Sequence, residues 1–266
     1  MRFRLLLASK IAGAIIPINY QYPLSAAIYR ILAKADTEYA TFLHEKGYAV
    51  GEGFKHFKLF TFSDLRTKFK LRGDRMYLSS DLELIVSFHL PEAAQHFVKG
   101  LFLSQNMDIA DKKSKATFIV RMVEAMPDPF GQTNIDKSIC VDLRPISPCV
   151  AGIKNNKGDY DFISPVDARF PLAIKHNWEQ KLKALGMPYN EEELQVRVNL
   201  LKTAPKSRLV VIKAGTKAQT RIRGFMNFGL QLEGNKKNIE VLCNAGAGIY
   251  NAQGMGCMEV DIIKNK

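Results

Sequence analysis

Two stretches of this chain have residue types and spacings that could do chemistry. The first is GAGIYNAQGMG, residues 246–256, which places Gly246, Gly248, Gly254 and Gly256 in a G-h-G, five residues, G-h-G pattern. Glycine costs backbone entropy and helps only where φ must be positive or something approaches closely. A phosphate-binding P-loop needs Lys-Ser/Thr after its last glycine, and here Cys257 and Met258 follow. A dinucleotide fingerprint runs strand, loop, helix. Here NKKNIEVLCNAG reads as a short helix before the loop and MEVDIIK as a strand after it, the reverse order. Two readings stay open: a structural connection with a glycine C-cap at Gly246, or a loop whose backbone N–H groups face an anion.

The second stretch is RTKFKLR. Arg66, Lys68, Lys70 and Arg72 alternate with Thr67, Phe69 and Leu71. On a strand this gives one basic face and one largely apolar face. It is either an edge strand guarded by lysines against aggregation or a surface that follows a phosphate backbone. Arg221 and Arg223 in TRIRGF repeat the device, preceded by Lys202, Lys206, Arg208, Lys213 and Lys217. Basic residues on strands and their connections fit a groove for single-stranded nucleic acid. Arg223-Gly224-Phe225 also resembles the first three residues of the aromatic RNA-binding strand of RRM domains, and the match stops there.

The whole chain agrees with a polyanionic partner. Its formal net charge is +12 over 266 residues, which favours nucleic acid or an anionic membrane surface. An amphipathic basic helix suited to a membrane surface is lacking, and no apolar run is long enough to span one. MRFRLLLASKIAGAIIP resembles a signal peptide, but Lys10 interrupts it and RFRLLLAS reads equally well as a strand. Cys140, Cys149, Cys243 and Cys257 form no C-x-x-C pair and no His cluster joins them. The expectation is no metal site, and free buried thiols in a reducing cytoplasm.

The elements that must position these residues fall into two halves, divided at MPDPFGQTNIDKS, residues 126–138. The first half reads as a strand at 2–9, a helix at 24–34 entered at Pro23, and a second helix capped by Asp36 or Thr37 and ending near His44 and Gly47. Strands at 56–63, 66–72, 76–80 and 83–89 follow, then a helix at 91–103 and a strand at 115–124. The second half repeats the order: strands at 138–144 and 159–163, a helix at 167–185, strands at 194–201, 207–213 and 219–232, the short helix, the glycine loop and the final strand. Two βαββαβ units predict an α+β protein of tandem ferredoxin-like (RRM-like) domains with antiparallel sheets, helices on one face and the other face free to bind.

NIEVLCNAGAGIYNAQGMGCMEV, preceded by RIRGFMNFGLQLEG, resembles the C-terminal signature of the CRISPR-associated repeat-RNA endoribonucleases, the Cas six family of the RAMP superfamily. PINYQYPLSAAIY, ATFLHEKG and KLFTFS are similar to that family's first loop, first helices and second strand. Residues 125–200 match it by topology alone. The resemblance implies two ferredoxin-like domains, here 1–127 and 138–266, and cleavage of CRISPR precursor RNA within its repeats, without metal or cofactor. It implies a catalytic site of Tyr29 in AAIYR, His44 in FLHEKG and Lys58 in KLFTFS. RNA would bind at Arg66, Lys68, Lys70, Arg72, Lys213, Lys217, Arg221, Arg223 and the four loop glycines. GYAVGEGFKHF, between His44 and Lys58, is longer than the family's usual connection, so Lys46 and Lys55 compete for the lysine's role and His56 for the histidine's. The implied partner is repeat RNA, with CRISPR effector proteins as further candidates. A non-catalytic repeat-RNA-binding subunit is the alternative, and monomer and homodimer both stay open.

These residue types suit the reaction. RNA carries its own nucleophile, the ribose 2′-OH. A base must take its proton, an acid must protonate the departing 5′ oxygen, and a cation should offset charge on the phosphorane. Histidine transfers protons near neutral pH, lysine supplies charge and tyrosine orients or donates. The expected products are a 2′,3′-cyclic phosphate and a 5′-OH end.

Overall fold

The computed structural model describes residues 1–51, 56–131 and 138–265. In chain order its first half contains β1 (Arg2–Ser9), β2 (Ile15–Pro17), α1 (Gln21–Ala35), α2 (Thr37–Glu45), β3 (Tyr48–Ala49), β4 (His56–Phe57), β5 (Phe60–Phe62), β6 (Phe69–Arg72), β7 (Arg75–Leu78), β8 (Leu82–Phe88), α3 (Pro91–Leu103), β9 (Asn106–Ala110) and β10 (Lys115–Ala125). The main sheet runs β5-β8-β1-β10-β9, and every pair in it is antiparallel. Without the edge strand β9 this is the strand order of one βαββαβ unit. Leu24, Ile28, Ile31 and Leu32 of α1 recur at helical spacing and are buried, as are Ala94, Phe97 and Leu101 of α3. Asp36 caps α2, its Oδ1 accepting from the Tyr39 amide at 2.8 Å.

The second half contains β11 (Ser138–Pro145), β12 (Ala151–Lys154), β13 (Tyr160–Ile163), α4 (Arg169–Ala184), β14 (Gln195–Leu200), β15 (Lys206–Ile212), β16 (Thr220–Met226), β17 (Phe228–Asn235), α5 (Lys236–Ala245) and β18 (Met258–Asn265). Its sheet order, β14-β17-β11-β18, repeats that of the first unit. The β12–β13 and β15–β16 hairpins are insertions into this second unit. Phe130 is buried in the second half's core, so that core draws on the chain before residue 138.

The structure differs from the sequence reading in several places. The strand expected at 56–63 breaks at Leu59, whose φ is +51°, and that at 219–232 breaks at Asn227, φ +65°. The basic strand begins only at Phe69, with Arg66 in an isolated bridge to Glu83. It is the outer strand of a small sheet, β2-β7-β6, and both its faces are open: Phe69 and Leu71 are 46% and 53% exposed. Nor is the second face of the first sheet free. Thr61, Ile85 and Ser87 point to that side and are buried. Thr61 Oγ1 donates to the Met255 carbonyl at 2.9 Å, and the Asp64 amide to the Ile146 carbonyl at 3.0 Å, so the second half covers it. The matching face of the second sheet carries Asp142, Arg197, Gln231 and Glu233, bonded to one another.

Candidate active site and RNA-binding surface

The three residues expected to be catalytic come together. The Tyr29 ring, on the flank of α1, meets the His44 imidazole edge-on, with centroids 5.0 Å apart. Phe60 of β5 holds its other side at 5.5 Å. Burial pushes the Tyr29 phenol pKa up, so its hydroxyl stays protonated at neutral pH. His44 lies in the last turn of α2 and is exposed, open to a substrate. Lys58 Nζ donates to the His44 carbonyl at 2.8 Å.

The local sequence explains that contact. Helix α2 ends at Gly47, φ +63°, whose amide donates to the Phe42 carbonyl at 2.7 Å. A Cβ there would stand 3.0 Å from Lys58 Cδ and 2.6 Å from the Phe57 carbonyl, so the glycine admits the lysine stem. Desolvation lowers the Lys58 pKa to about 8, with Glu45 drawing it partly back. Of the competing lysines, Lys46 is exposed at the α2 C-cap and Lys55 lies outside the described residues. His56 is exposed on β4, before the break at Leu59. His96 stacks on Tyr39 at 4.7 Å, and burial pushes the His89 pKa down to about 4.

The glycine loop serves this cluster differently from one of the two readings. Gly246, Gly248, Gly254 and Gly256 all have positive φ, between +69° and +92°, and all are buried. The Gly246, Gly254 and Gly256 amides donate to the carbonyls of Leu242, Asn251 and Pro148. Those three N–H groups are therefore bonded within the fold and not turned to an anion, and all four glycines are buried. They allow a dense internal crossing instead. Lys181, 2% exposed and unforeseen in the sequence, donates to the carbonyls of Gly246 at 2.5 Å and Gly248 at 3.2 Å, and to Asn251 Oδ1 at 2.7 Å. The loop's far end grips the elements of the cluster. Ser25 Oγ, one turn before Tyr29 on α1, donates to the Ala252 carbonyl at 2.6 Å.

The cations divide into free and committed. Lys68, Lys70, Lys213, Lys217, Arg221 and Arg223 are exposed. Arg72 is exposed and lies over the Tyr77 ring at 5.1 Å, and Arg66 pairs with Glu83 at 3.1 Å. Arg221 and Arg223 share a strand face, with Ile222 buried between them. Arg208 does not belong to an open groove: it holds both oxygens of Asp64 at 2.8 Å, and Tyr20 donates to the same carboxylate at 2.8 Å. Phe225 is buried, so the Arg-Gly-Phe stretch is not a stacking platform. All four cysteines are free and buried. Among the described residues no three His, Cys, Asp or Glu side chains cluster as a metal site, and no helix is long and apolar enough to cross a membrane.

Two antiparallel βαββαβ units in tandem, with a glycine loop between the last helix and last strand of the second, define a RAMP-type protein of the tandem ferredoxin-like fold. Residues 15–124 match the N-terminal family model of the CRISPR-associated protein Cas6, and residues 131–260 the C-terminal one. The chain belongs to the Cas6 family. It is 29% identical over 196 residues to the CRISPR-associated endoribonuclease Cas6 1 of Methanocaldococcus jannaschii, covering 72% of this chain and 69% of that protein. It is 26% identical to the CRISPR-associated endoribonuclease Cas6 of Pyrococcus furiosus, over 98% of this chain and 90% of that one. A solved Cas6-related protein from Pyrococcus furiosus superposes with a TM-score of 0.77 at 20% identity, over 98% of each chain.

Proposed function

We propose that this protein is an endoribonuclease that cuts CRISPR precursor RNA within its repeats, in the cytoplasm, with Tyr29, His44 and Lys58 as its catalytic residues and no metal in the reaction. The N-terminal domain, taken as residues 1–127, carries the catalytic residues. The C-terminal domain, taken from 138 to 266 with Phe130 added to its core, braces them through the loop 246–256. The observation that carries the reading is the meeting of an exposed imidazole, a phenol held protonated and a half-buried ammonium, from α1, α2 and the β4–β5 turn.

The 2′-OH upstream of the scissile phosphate attacks phosphorus. The bond from 2′-O to phosphorus forms as the bond to the 5′-O breaks. The 2′ proton leaves to a base and the 5′ oxygen gains a proton, giving a 2′,3′-cyclic phosphate and a 5′-OH. His44 takes part in proton transfer, Lys58 offsets the phosphorane charge, and Tyr29 orients the reacting groups. The exposed cations of β6 and of the β15–β16 hairpin draw in the RNA backbone.

The test is an end-labelled repeat RNA incubated in excess chelator. The wild-type protein cuts it. His44→Ala binds it within a few-fold of wild type and does not cut it. Cleavage by that variant at the wild-type rate moves the role to His56, and loss of wild-type cleavage in chelator overturns the metal-free route.

A further inference from the structure

A cleft of about 920 Å³ opens in the second half between α4 and the β12–β13 hairpin, apart from the Tyr29, His44 and Lys58 cluster. That size is in the range of small-molecule sites, about 300–1,000 Å³. Its walls bring together three kinds of group. Lys154, Arg169 and His176 supply cationic and proton-donating nitrogens. Tyr160 and Ile249 supply flat and apolar surface. Asn177 supplies a carboxamide, with one acceptor and two donors.

Asn177 is the telling residue. It is 2% exposed and lines the cleft, and its Oδ1 has no hydrogen-bond partner among the described residues. A buried acceptor without a donor destabilises the fold, and a donor arriving in the cleft relieves that. Nucleobase edges offer such donors. Arg169 is braced by Asp167, to which it donates from Nε at 3.0 Å and Nη2 at 2.7 Å, leaving Nη1 for an anion. The Tyr160 ring is steadied by Tyr250 at 6.3 Å and Phe162 at 6.5 Å. Tyr250 and Ile249 belong to the same glycine loop whose far end holds α1 and β5. A strand lying across the catalytic cluster and this cleft would touch both ends of one loop.

We propose that this cleft holds one unpaired nucleotide of the RNA. Its base lies against Tyr160 and Ile249, its edge meets the Asn177 carboxamide, and its phosphate meets Lys154 and Arg169. This rests on the reading that the protein binds RNA.

Asn177→Leu removes the carboxamide while keeping the branched outline of the side chain. Because its Oδ1 has no internal partner, melting of the full-length protein should stay level or rise. Affinity for a repeat RNA, measured by fluorescence anisotropy, should fall about tenfold, and Tyr160→Ala should lose about as much through stacking. A repeat RNA with 4-thiouridine placed in turn at each uridine should crosslink from one position to the β12–β13 hairpin or α4. If wild type binds the RNA and both variants bind it equally well, the cleft assignment falls and the RNA reading stands. If Asn177→Leu melts lower, the residue is structural, and Tyr160→Ala with the crosslink decides: wild-type affinity and no crosslink overturn the cleft. A wild-type protein that binds no repeat RNA overturns both.

Discussion

Lys58 is the residue whose chemistry is most sharply set by its place. Burial lowers its pKa from 10.5 to about 8, and its Nζ is tied to the His44 carbonyl. The ammonium is the form that offsets negative charge, so the cleavage rate should fall as pH rises through about 8. Stability should move the other way. Between the folded and unfolded values the unfolded chain binds more protons, so the contribution of Lys58 to stability rises with pH in that window. Lys58→Arg stays charged throughout. If it cuts, it should keep its rate above the wild-type break. A wild-type rate profile flat across this window would remove the ammonium from the mechanism. That Tyr29, His44 and Lys58 would come together was foreseen because each sits in a short stretch similar to the family's; their catalytic roles remain the proposal. Lys181 and Asn177 were not foreseen. On an amphipathic helix a lysine or asparagine reads as a surface residue. The oxygens that bury Lys181 lie 65, 67 and 70 residues away.

At the scale of elements, repetition showed through where packing is local. Helix spacing gave α1, α3 and α4, and alternation gave most strands. The breaks at Leu59 and Asn227 did not show, because both are single left-handed residues that are not glycine. For the glycine loop, the pattern marked positive φ but could not say what faced it. At Gly254 the answer is Phe62: a Cβ there, at φ +74°, would overlap its ring. Gly254→Val therefore combines overlap with about 2 kcal/mol of backbone strain, and melting should fall by roughly 5 °C or more. A variant that melts like wild type would mean that the loop tolerates a side chain against β5. The basic strand invites a different measurement. Lys68, Lys70 and Arg72 make no ion pair with an acidic side chain among the described residues, whereas Arg66 has Glu83. Replacing all four by serine should weaken repeat-RNA binding. It should flatten the log–log salt dependence by about 0.7 for each phosphate that these side chains no longer neutralise. An unchanged slope would put the RNA along Lys213 to Arg223 instead.

For the whole molecule, hydrogen bonds tie the two halves together. Arg208 reaches from β15 to Asp64, and Arg2 on β1 donates to the carbonyls of Cys243 and Met258. The glycine loop bonds α1 and β5. These joints set how α1 and β5 stand against the second half, and none was visible in sequence because each spans more than 140 residues. The open face of the second sheet carries Asp142 and Glu233 and suits a polyanion poorly, which leaves the exposed cations of β6 and of the β15–β16 hairpin as the proposed path for RNA. In the proposed reaction, cleavage rests on the substrate's own oxygen. A repeat RNA with a single 2′-deoxy nucleotide just 5′ of the scissile phosphate keeps every phosphate and every base, so it should bind within a few-fold of the unmodified strand. It should not be cut, because no hydroxyl remains there to lose its proton and attack phosphorus. The unmodified strand, cut in parallel, should end in a 2′,3′-cyclic phosphate that acid opens to a mixture of 2′- and 3′-phosphates. Cleavage of the deoxy strand, or a product with a 3′-OH end, would make water the nucleophile. The cluster of Tyr29, His44 and Lys58 would then lose its role in activating the 2′-OH.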